Sequence, residues 1–412
     1  MLSITKILCG VESFGDTLRY GETAHCSGSG AAEGLGPVVA WNMTKACNLR
    51  CVHCYASASG RPAAAELTTG EAKNLLADLA AFKVPALLLS GGEPLTRPDF
   101  FELAEFAVSL GLRVTLSTNG TLITPGVARR IREAGISYVG VSLDGTEETH
   151  DTFRACPGAY RAALAGIRNC LAAGQKVGLR FTLSRRNVAE VREIFELADR
   201  EGIGRICFYH LAYAGRGSRM AAQDISNGER RRVVDLIAGM TLALCRRGRP
   251  LEVLTVNNHA DAAYLYLRLL ESDPGRAAGA FRLLCRNGGN RSGMAIAAID
   301  WNGNVHPDQF TFTRTIGNVK ERRFSEIWKD ASHPLLASLR NRRGLLKGRC
   351  ASCRFLEICN GNSRARAEAA YGDYWAPDPA CYLTDEEISG GKALRGNDKV
   401  LSGEIAAAVD YA

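Results

Sequence analysis

Six short apolar runs, PVVAWN, PALLLS, LRVTLS, SYVGVSL, VGLRFTL and GRICFYHL, punctuate the first half of the chain, and stretches with helical spacing lie between them near residues 69–82, 98–110, 123–134, 158–173 and 187–201. Short apolar runs bounded by turn residues read as strands buried on both faces, and a helix after each one returns the chain to start the next strand parallel to the last. The helical stretch from Thr68 to Phe82 opens with a Thr68-x-x-Glu71 capping box. The pattern predicts an α/β fold built on a parallel sheet, and by itself leaves open whether that sheet is doubly wound or a partial barrel. A dinucleotide-binding domain is disfavoured, because no G-x-G-x-x-G follows the first strand.

The 412 residues, 46% hydrophobic and 23% charged, are enough for two domains. No apolar run approaches the ~20 residues needed to cross a bilayer, so no membrane association is expected. The opening MLSITKILCGVESFGDTLRYGE carries early acidic residues and no basic start followed by an apolar stretch and a small-residue cleavage site, so no secretion signal is expected. Fourteen cysteines in an unexported chain point to metal ligation and reduced thiols, hence to a cytoplasmic, oxygen-sensitive site. The formal charge of +8 favours acidic partners. Arginines are dispersed apart from Arg185–Arg186 and residues 340–349, with no aromatic interleaving, which argues against nucleic acid.

Cys47, Cys51 and Cys54 stand in WNMTKACNLRCVHCYA, just after the first strand. Random placement of 14 cysteines in 412 residues gives this C-x3-C-x2-C spacing about 0.02 times per chain. Three thiolates on one loop hold three irons of a cubane and leave the fourth iron open, whereas structural zinc wants four closed ligands. After the second strand the chain turns through Gly91, Gly92, Glu93 and Pro94, bare backbone and one anion at a strand end. A second set, Cys350, Cys353, Cys359 and Cys381, follows C-x2-C-x5-C with a later fourth thiol, and this spacing suits tetrahedral zinc and an iron-sulfur cluster equally. Cys9, Cys26, Cys156, Cys170, Cys207 and Cys245 have no such spacing and read as core or incidental thiols.

CNLRCVHC and GGEP, together with STNG (Ser117 to Gly120) and VSLDG (Val141 to Gly145), resemble the radical S-adenosylmethionine (SAM) enzymes. The resemblance implies a partial (β/α)6 barrel and a 4Fe-4S cluster on Cys47, Cys51 and Cys54. The open iron of that cluster would chelate SAM, and one electron would cleave SAM to a 5′-deoxyadenosyl radical. It also implies Gly91, Gly92 and Glu93 at the SAM amino group, Tyr55 near adenine, and Ser142 and Arg180 near the ribose or carboxylate. Read from the residues alone, Ser142 is equally a strand-end hydroxyl and Arg180 an ion-pair partner. The C-terminal cysteines resemble the small SPASM extension of these enzymes, which implies a second, auxiliary 4Fe-4S cluster on Cys350, Cys353, Cys359 and Cys381.

The chain departs from the full extension at Ser363 and Asp308, where cysteines are common, leaving Cys285 alone of a first auxiliary set. Cys285 and Asp308 are then candidates for catalysis or substrate contact, or else a buried thiol and a turn carboxylate. Further runs, FYHLAYAGRG, CRNGGNRSG, HPDQF and CNGNSRARA, resemble the enzymes of alternative haem biosynthesis. Within that group the likeness is greatest to deacetylases that remove two acetates from 12,18-didecarboxysiroheme to give iron-coproporphyrin III. The resemblance implies an acidic iron tetrapyrrole substrate and an electron donor such as ferredoxin or flavodoxin. Arg216, Arg291, Arg364 and Arg366 are candidates to grip its carboxylates, and His210 or His306 to meet its iron. Alternatives are a propionate-removing relative in nitrite-reductase haem synthesis, a SPASM peptide maturase, or a noncatalytic metal scaffold. The expected layout is an N-terminal extension (1–36), barrel core (37–215), helical connection (216–284), SPASM-like domain (285–384) and tail (385–412).

Overall fold

The computed structural model describes residues 1–21 and 36–390, so Cys26 and the chain beyond residue 390 lie outside the described residues. The strands, in chain order, are β1 (Leu2–Ser3), β2 (Val38–Asn42), β3 (Leu87–Ser90), β4 (Val114–Thr118), β5 (Tyr138–Ser142), β6 (Val177–Leu183), β7 (Arg205–His210), β8 (Glu252–Val256), β9 (Ile296–Ile299), β10 (Asn304–His306) and β11 (Gly317–Asn318). They form a single sheet in the order β1-β8-β7-β6-β5-β4-β3-β2-β9-β10-β11. The six apolar runs are β2 to β7, each parallel to its successor, as their sequence demands. The sheet ends at β1 and β11 and does not close, which agrees with a partial barrel.

Both edges of the six-strand core are extended by segments with other expected roles. β8, inside the stretch 216–284 expected to be a helical connection, pairs parallel to β7. β9, from the expected C-terminal domain, pairs parallel to β2. The edge strands thus find partners for backbone groups that would otherwise be left bare, and the boundary near residue 285 does not separate two sheets. β1 caps the outer edge antiparallel to β8, so the N-terminal residues are part of the same sheet.

Helices lie where the spacing put them: Thr69–Ala81, Phe100–Ser109, Pro125–Glu133, Ala159–Ala172 and Val191–Glu201. The first begins at the expected capping box, with Thr68 accepting the Glu71 amide and Glu71 reaching back. Leu75, Leu76, Leu79, Phe100, Leu103, Ile131, Ile167, Ile194 and Phe195 are buried against the sheet, each large side chain contributing about 1.5–3 kcal/mol. Between the core strands, the helix Glu147–Arg154 was not legible in the spacing, because EETHDTFR buries only His150, Phe153 and Arg154.

The C-terminal segment docks on the sheet through a buried charge. Arg366, with a fully buried side chain, grips Asp378 with Nε and Nη2 at 2.7 and 2.8 Å, and donates to the Leu211 and Asn257 carbonyls, the residues that follow β7 and β8. Arg364, also fully buried, donates to the carbonyls of Gly361, Tyr374 and Ala376. Neither is therefore a solvent- or substrate-facing arginine. Removing one partner of a buried ion pair leaves an uncompensated charge, so Arg366→Ala is expected to cost about 3–5 kcal/mol. Urea unfolding of the Arg366→Ala variant against the unaltered chain measures it.

Candidate active site

The carboxyl ends of the parallel strands open into a cavity of about 940 Å3 counting its mouth and the solvent in it. Its walls include Cys47, Cys51, Cys54 and Tyr55 from the loop after β2, Ser90, Gly91 and Gly92 from the end of β3, and Ser142, Arg180, Tyr209 and His210 from β5, β6 and β7. Parallel α/β folds build sites at this end because every strand delivers a loop there. Ten residues singled out from sequence thus share one cavity: the three cysteines, Tyr55, Gly91, Gly92, Ser142, Arg180, His210 and Arg216.

The cysteine loop is fixed by backbone bonds on all sides. The Gly92 and Glu93 amides donate to the Thr44 and Ala46 carbonyls at 2.7 and 2.8 Å, and the Cys47 amide to Ser59 at 2.7 Å. Gly91 has φ of +147°, and a Cβ at Gly92 would overlap the Ala46 carbonyl, so both glycines are required for the two loops to meet. From the loop after β7, the Arg216 amide donates to the Cys54 carbonyl at 2.9 Å, and its guanidinium to the Cys51 and Ala58 carbonyls at 2.8 and 2.7 Å. Arg216 lines the cavity; its Nε and Nη1 hold the cysteine loop, while its buried Nη2 has no partner among the described residues.

Glu93 is completely buried and is not in the cavity wall. Its carboxyl accepts from the Leu95 amide at 3.2 Å, from Thr118 Oγ1 at 2.8 Å and from the Asn119 amide at 2.8 Å. Burial pushes it up to about 7 against those hydrogen bonds. The side chain therefore ties the turn after β3 to the STNG loop after β4, and what this turn offers to a ligand comes from Gly91 and Gly92. Tyr55 donates to Asn42 Oδ1 at 2.8 Å and meets Phe310 edge-on, with ring centroids 5.5 Å apart. Arg180 stands beside Ser142 in register, its guanidinium 4.8 Å from the Tyr209 ring centre, with no carboxylate partner among the described residues. His210 holds Asp261 through Nε2 at 3.0 Å, leaving Nδ1 without a partner.

Three thiols on one loop are the donor set of a cubane with one iron left open. Among the described residues no three Cys, His, Asp or Glu side chains converge on a position for one metal ion. Around a single zinc they must converge, whereas each cubane thiolate addresses its own iron. The described cysteines are all free. Burial pushes Cys47 up to about 12 and raises Cys51 despite the opposing Arg154 guanidinium. In the C-terminal set, burial and then the nearby Cys381, Cys350 and Cys353 thiols raise Cys359 well above its ordinary value, so the four sulfurs are neighbours. Ser363, found where a cysteine is common, caps helix Arg364–Tyr371 by accepting the Arg366 amide.

Cys285 and Asp308 are not brought to the cavity. Cys285 sits near the end of helix Pro274–Asn287, packed against the core and close to Glu357. Asp308 is consumed in its own loop, accepting from Ser292, from the Phe310 amide at 2.8 Å and from Thr311 at 2.9 Å. Its hairpin reaches the cavity through Phe310 instead. His306 faces the Arg314 carbonyl at 2.9 Å and is not in the cavity wall. Sequence reasoning missed Arg154 and Asn119, which line the cavity and donate toward Cys51 and Cys47, and Asp144, which pairs with Arg154. The carboxylate of VSLDG and the polar helix that follows it were the available signal.

A three-thiol loop at the mouth of an open parallel α/β sheet, with a second thiol set beyond it, defines an iron-sulfur enzyme. The chain belongs to the radical SAM superfamily, whose family model matches residues 41–198, and an iron-sulfur cluster-binding domain matches residues 291–354. It is 52% identical to the Fe-coproporphyrin III synthase of Methanosarcina barkeri, covering 94% of this chain and 99% of that one. It is 46% identical to the pre-heme d1 synthase of Dinoroseobacter shibae, covering 85% and 87%. In fold it matches Streptococcus suis SuiB bound to its precursor peptide, with a TM-score of 0.68 over 85% of this chain and 76% of that one, at 18% identity. Membership brings SAM and iron-sulfur chemistry with it. No helix among the described residues is long and apolar enough to cross a membrane.

A methyl group at Gly92 has no room against the Ala46 carbonyl. Gly92→Ala is expected to cost about 1–3 kcal/mol and to displace the cysteine loop. Iron and sulfide analysis after anaerobic reconstitution should show lower cluster loading than in the unaltered protein.

Proposed function

We propose that this chain is a radical SAM enzyme of haem biosynthesis that removes the two acetate side chains of 12,18-didecarboxysiroheme to give iron-coproporphyrin III. The observation that carries this reading is the 52% identity, over 94% of the chain, to a relative named Fe-coproporphyrin III synthase. In this reading Cys47, Cys51 and Cys54 hold a 4Fe-4S cluster with one iron left for SAM. Cys350, Cys353, Cys359 and Cys381 hold an auxiliary 4Fe-4S cluster. The barrel core is residues 37–215, and the SPASM-like part runs from 285 to 384. When bound, the first cluster and SAM supply the radical that abstracts hydrogen from the substrate.

The chain's own residues bind, orient and shield. Arg180, a cation in the cavity wall without a carboxylate partner, takes an anionic group of the cofactor, with Ser142 beside it in register. Gly91 and Gly92 leave room for the cofactor's amino end, and Glu93 holds their turn in place from behind. Tyr55 and Phe310 form an aromatic wall suited to a flat ring. A ferredoxin or flavodoxin is the expected electron donor, and the net charge of +8 suits both an acidic donor and a carboxylate-rich tetrapyrrole.

The 46% identity to a pre-heme d1 synthase favours a second reading, in which propionates are removed instead. Likeness to a peptide-bound enzyme extends to fold alone at 18% identity. Anaerobic incubation of the reconstituted protein with SAM, dithionite and 12,18-didecarboxysiroheme, followed by mass spectrometry of the tetrapyrrole, tests the first reading. Loss of two acetates is expected with the unaltered protein and not with Cys47→Ala. Loss of propionates instead would favour the second reading, and release of 5′-deoxyadenosine with an unchanged tetrapyrrole would move the activity to another tetrapyrrole or a peptide.

A further inference from the structure

Helix Glu147–Arg154 ends directly behind the cysteine loop. Its last carbonyls, of Phe153 and Arg154, accept the Val52 and Arg50 amides at 2.9 and 3.4 Å. The Arg154 side chain turns the same way: Nη1 donates to Cys51 Sγ at 3.5 Å, and Nη2 pairs with Asp144. Both side chains are buried, 8% and 0% exposed. Asp144 is itself fixed, because Oδ1 accepts the Thr182 amide at 2.7 Å and its own amide donates to His150 Nδ1 at 3.0 Å. The neighbouring thiols receive only neutral donors, the Leu49 amide and the Asn119 side chain at Cys47 and the Ala58 amide at Cys54. Cys51 is thus the thiol of the trio that meets a full positive charge, and that charge is backed by a full negative one.

We propose that Arg154 and Asp144 act as a balanced pair that sets the reduction potential of the cluster on Cys47, Cys51 and Cys54. Arg154 raises the potential through its charged hydrogen bond to Cys51, and Asp144 limits the rise. The proposal rests on the cluster assignment made above. Reduction adds one negative charge to the cluster, so a cation at a ligating sulfur favours the reduced form and an anion disfavours it. Water is largely excluded here, so neither charge is strongly screened. A strong reductant is needed to break a sulfonium, yet a cellular donor must still be able to charge it, and two opposed charges let the fold place the potential between those demands. Both act through the Cys51 thiol: Arg154, which also lines the cavity, donates to its sulfur, and Asp144, outside the cavity wall, acts through Arg154. The loop itself is held by the helix carbonyls, which substitution at the Arg154 side chain leaves in place.

The test is an EPR-monitored redox titration of the anaerobically reconstituted full-length chain, alongside iron and sulfide analysis. The signal that changes on adding SAM identifies the N-terminal cluster. Arg154→Gln is expected to lower the potential by at least tenfold in the reduction equilibrium, about 59 mV for a one-electron couple. Asp144→Asn is expected to raise it, and Arg154→Lys to stay near the unaltered value. A purely structural role would not move the two charge-removing variants in opposite directions. Full cluster loading with an unmoved potential in Arg154→Gln, or shifts of one sign in both variants, overturns the proposal. Should Arg154→Gln fail to load, Asp144→Asn decides: an upward shift supports the pair and an unmoved potential overturns it. An unaltered protein with no SAM-sensitive cluster signal overturns the cluster assignment itself, an outcome distinct from an intact cluster with unmoved potential.

Discussion

Two backbone hydrogen bonds, from Gly92 to Thr44 and from Glu93 to Ala46, join the turn after β3 to the loop after β2. Everything at the cavity mouth depends on that junction. It sets how far the cysteine loop stands from the sheet, and it works only because position 92 has no Cβ. Glu93 then extends the junction sideways, its buried carboxyl binding the Asn119 amide and the Thr118 hydroxyl at the end of β4. Three successive strand ends are locked together before any cofactor is considered.

The same economy recurs behind and above the cysteines. Arginines that look from sequence like a cationic reception area are mostly structural struts. Arg216 holds the cysteine loop by its carbonyls, Arg364 organises the C-terminal cysteine segment, and Arg366 fastens that segment to the residues after β7 and β8. A guanidinium presents five donors in a planar fork, so one side chain satisfies several loop carbonyls that have no strand or helix partner. Arg180 differs because its neighbours in the cavity wall are a tyrosine ring and a hydroxyl, which leaves its charge for a ligand.

The two cysteine sets belong to one folded unit. β9 adds to the sheet beside β2, β8 adds beside β7, and the chain between them carries the helices on which the C-terminal thiols rest. Asn362 bridges Asn258 after β8 and the His259 amide, and Asn290 reaches the Asn362 carbonyl at 2.7 Å. The segment bearing Cys359 is therefore held to the sheet by buried amide side chains whose hydrogen bonds close on one another, an arrangement that is costly to leave partly satisfied.

Sequence alone determined the six parallel strands, the helices between them and the cysteine trio, because apolar periodicity and ligand spacing are local properties; the grouping of Gly91, Gly92, Ser142 and Arg180 came from the family resemblance. It did not determine β8 or β9, short runs whose strand character comes from pairing with an edge that only the folded sheet provides. Nor did it separate a carboxylate that serves a ligand from one that serves a turn: Asp308 and Glu93 differ from free anions by the amides and hydroxyls that reach them. Asp144 and Arg154 were hidden for the same reason. Ten residues apart in an unremarkable polar helix and its approach, they pair with each other, and Arg154 reaches Cys51 across 103 residues of chain. Tertiary structure decides such cases, because desolvation and hydrogen bonding depend on what surrounds a group in space.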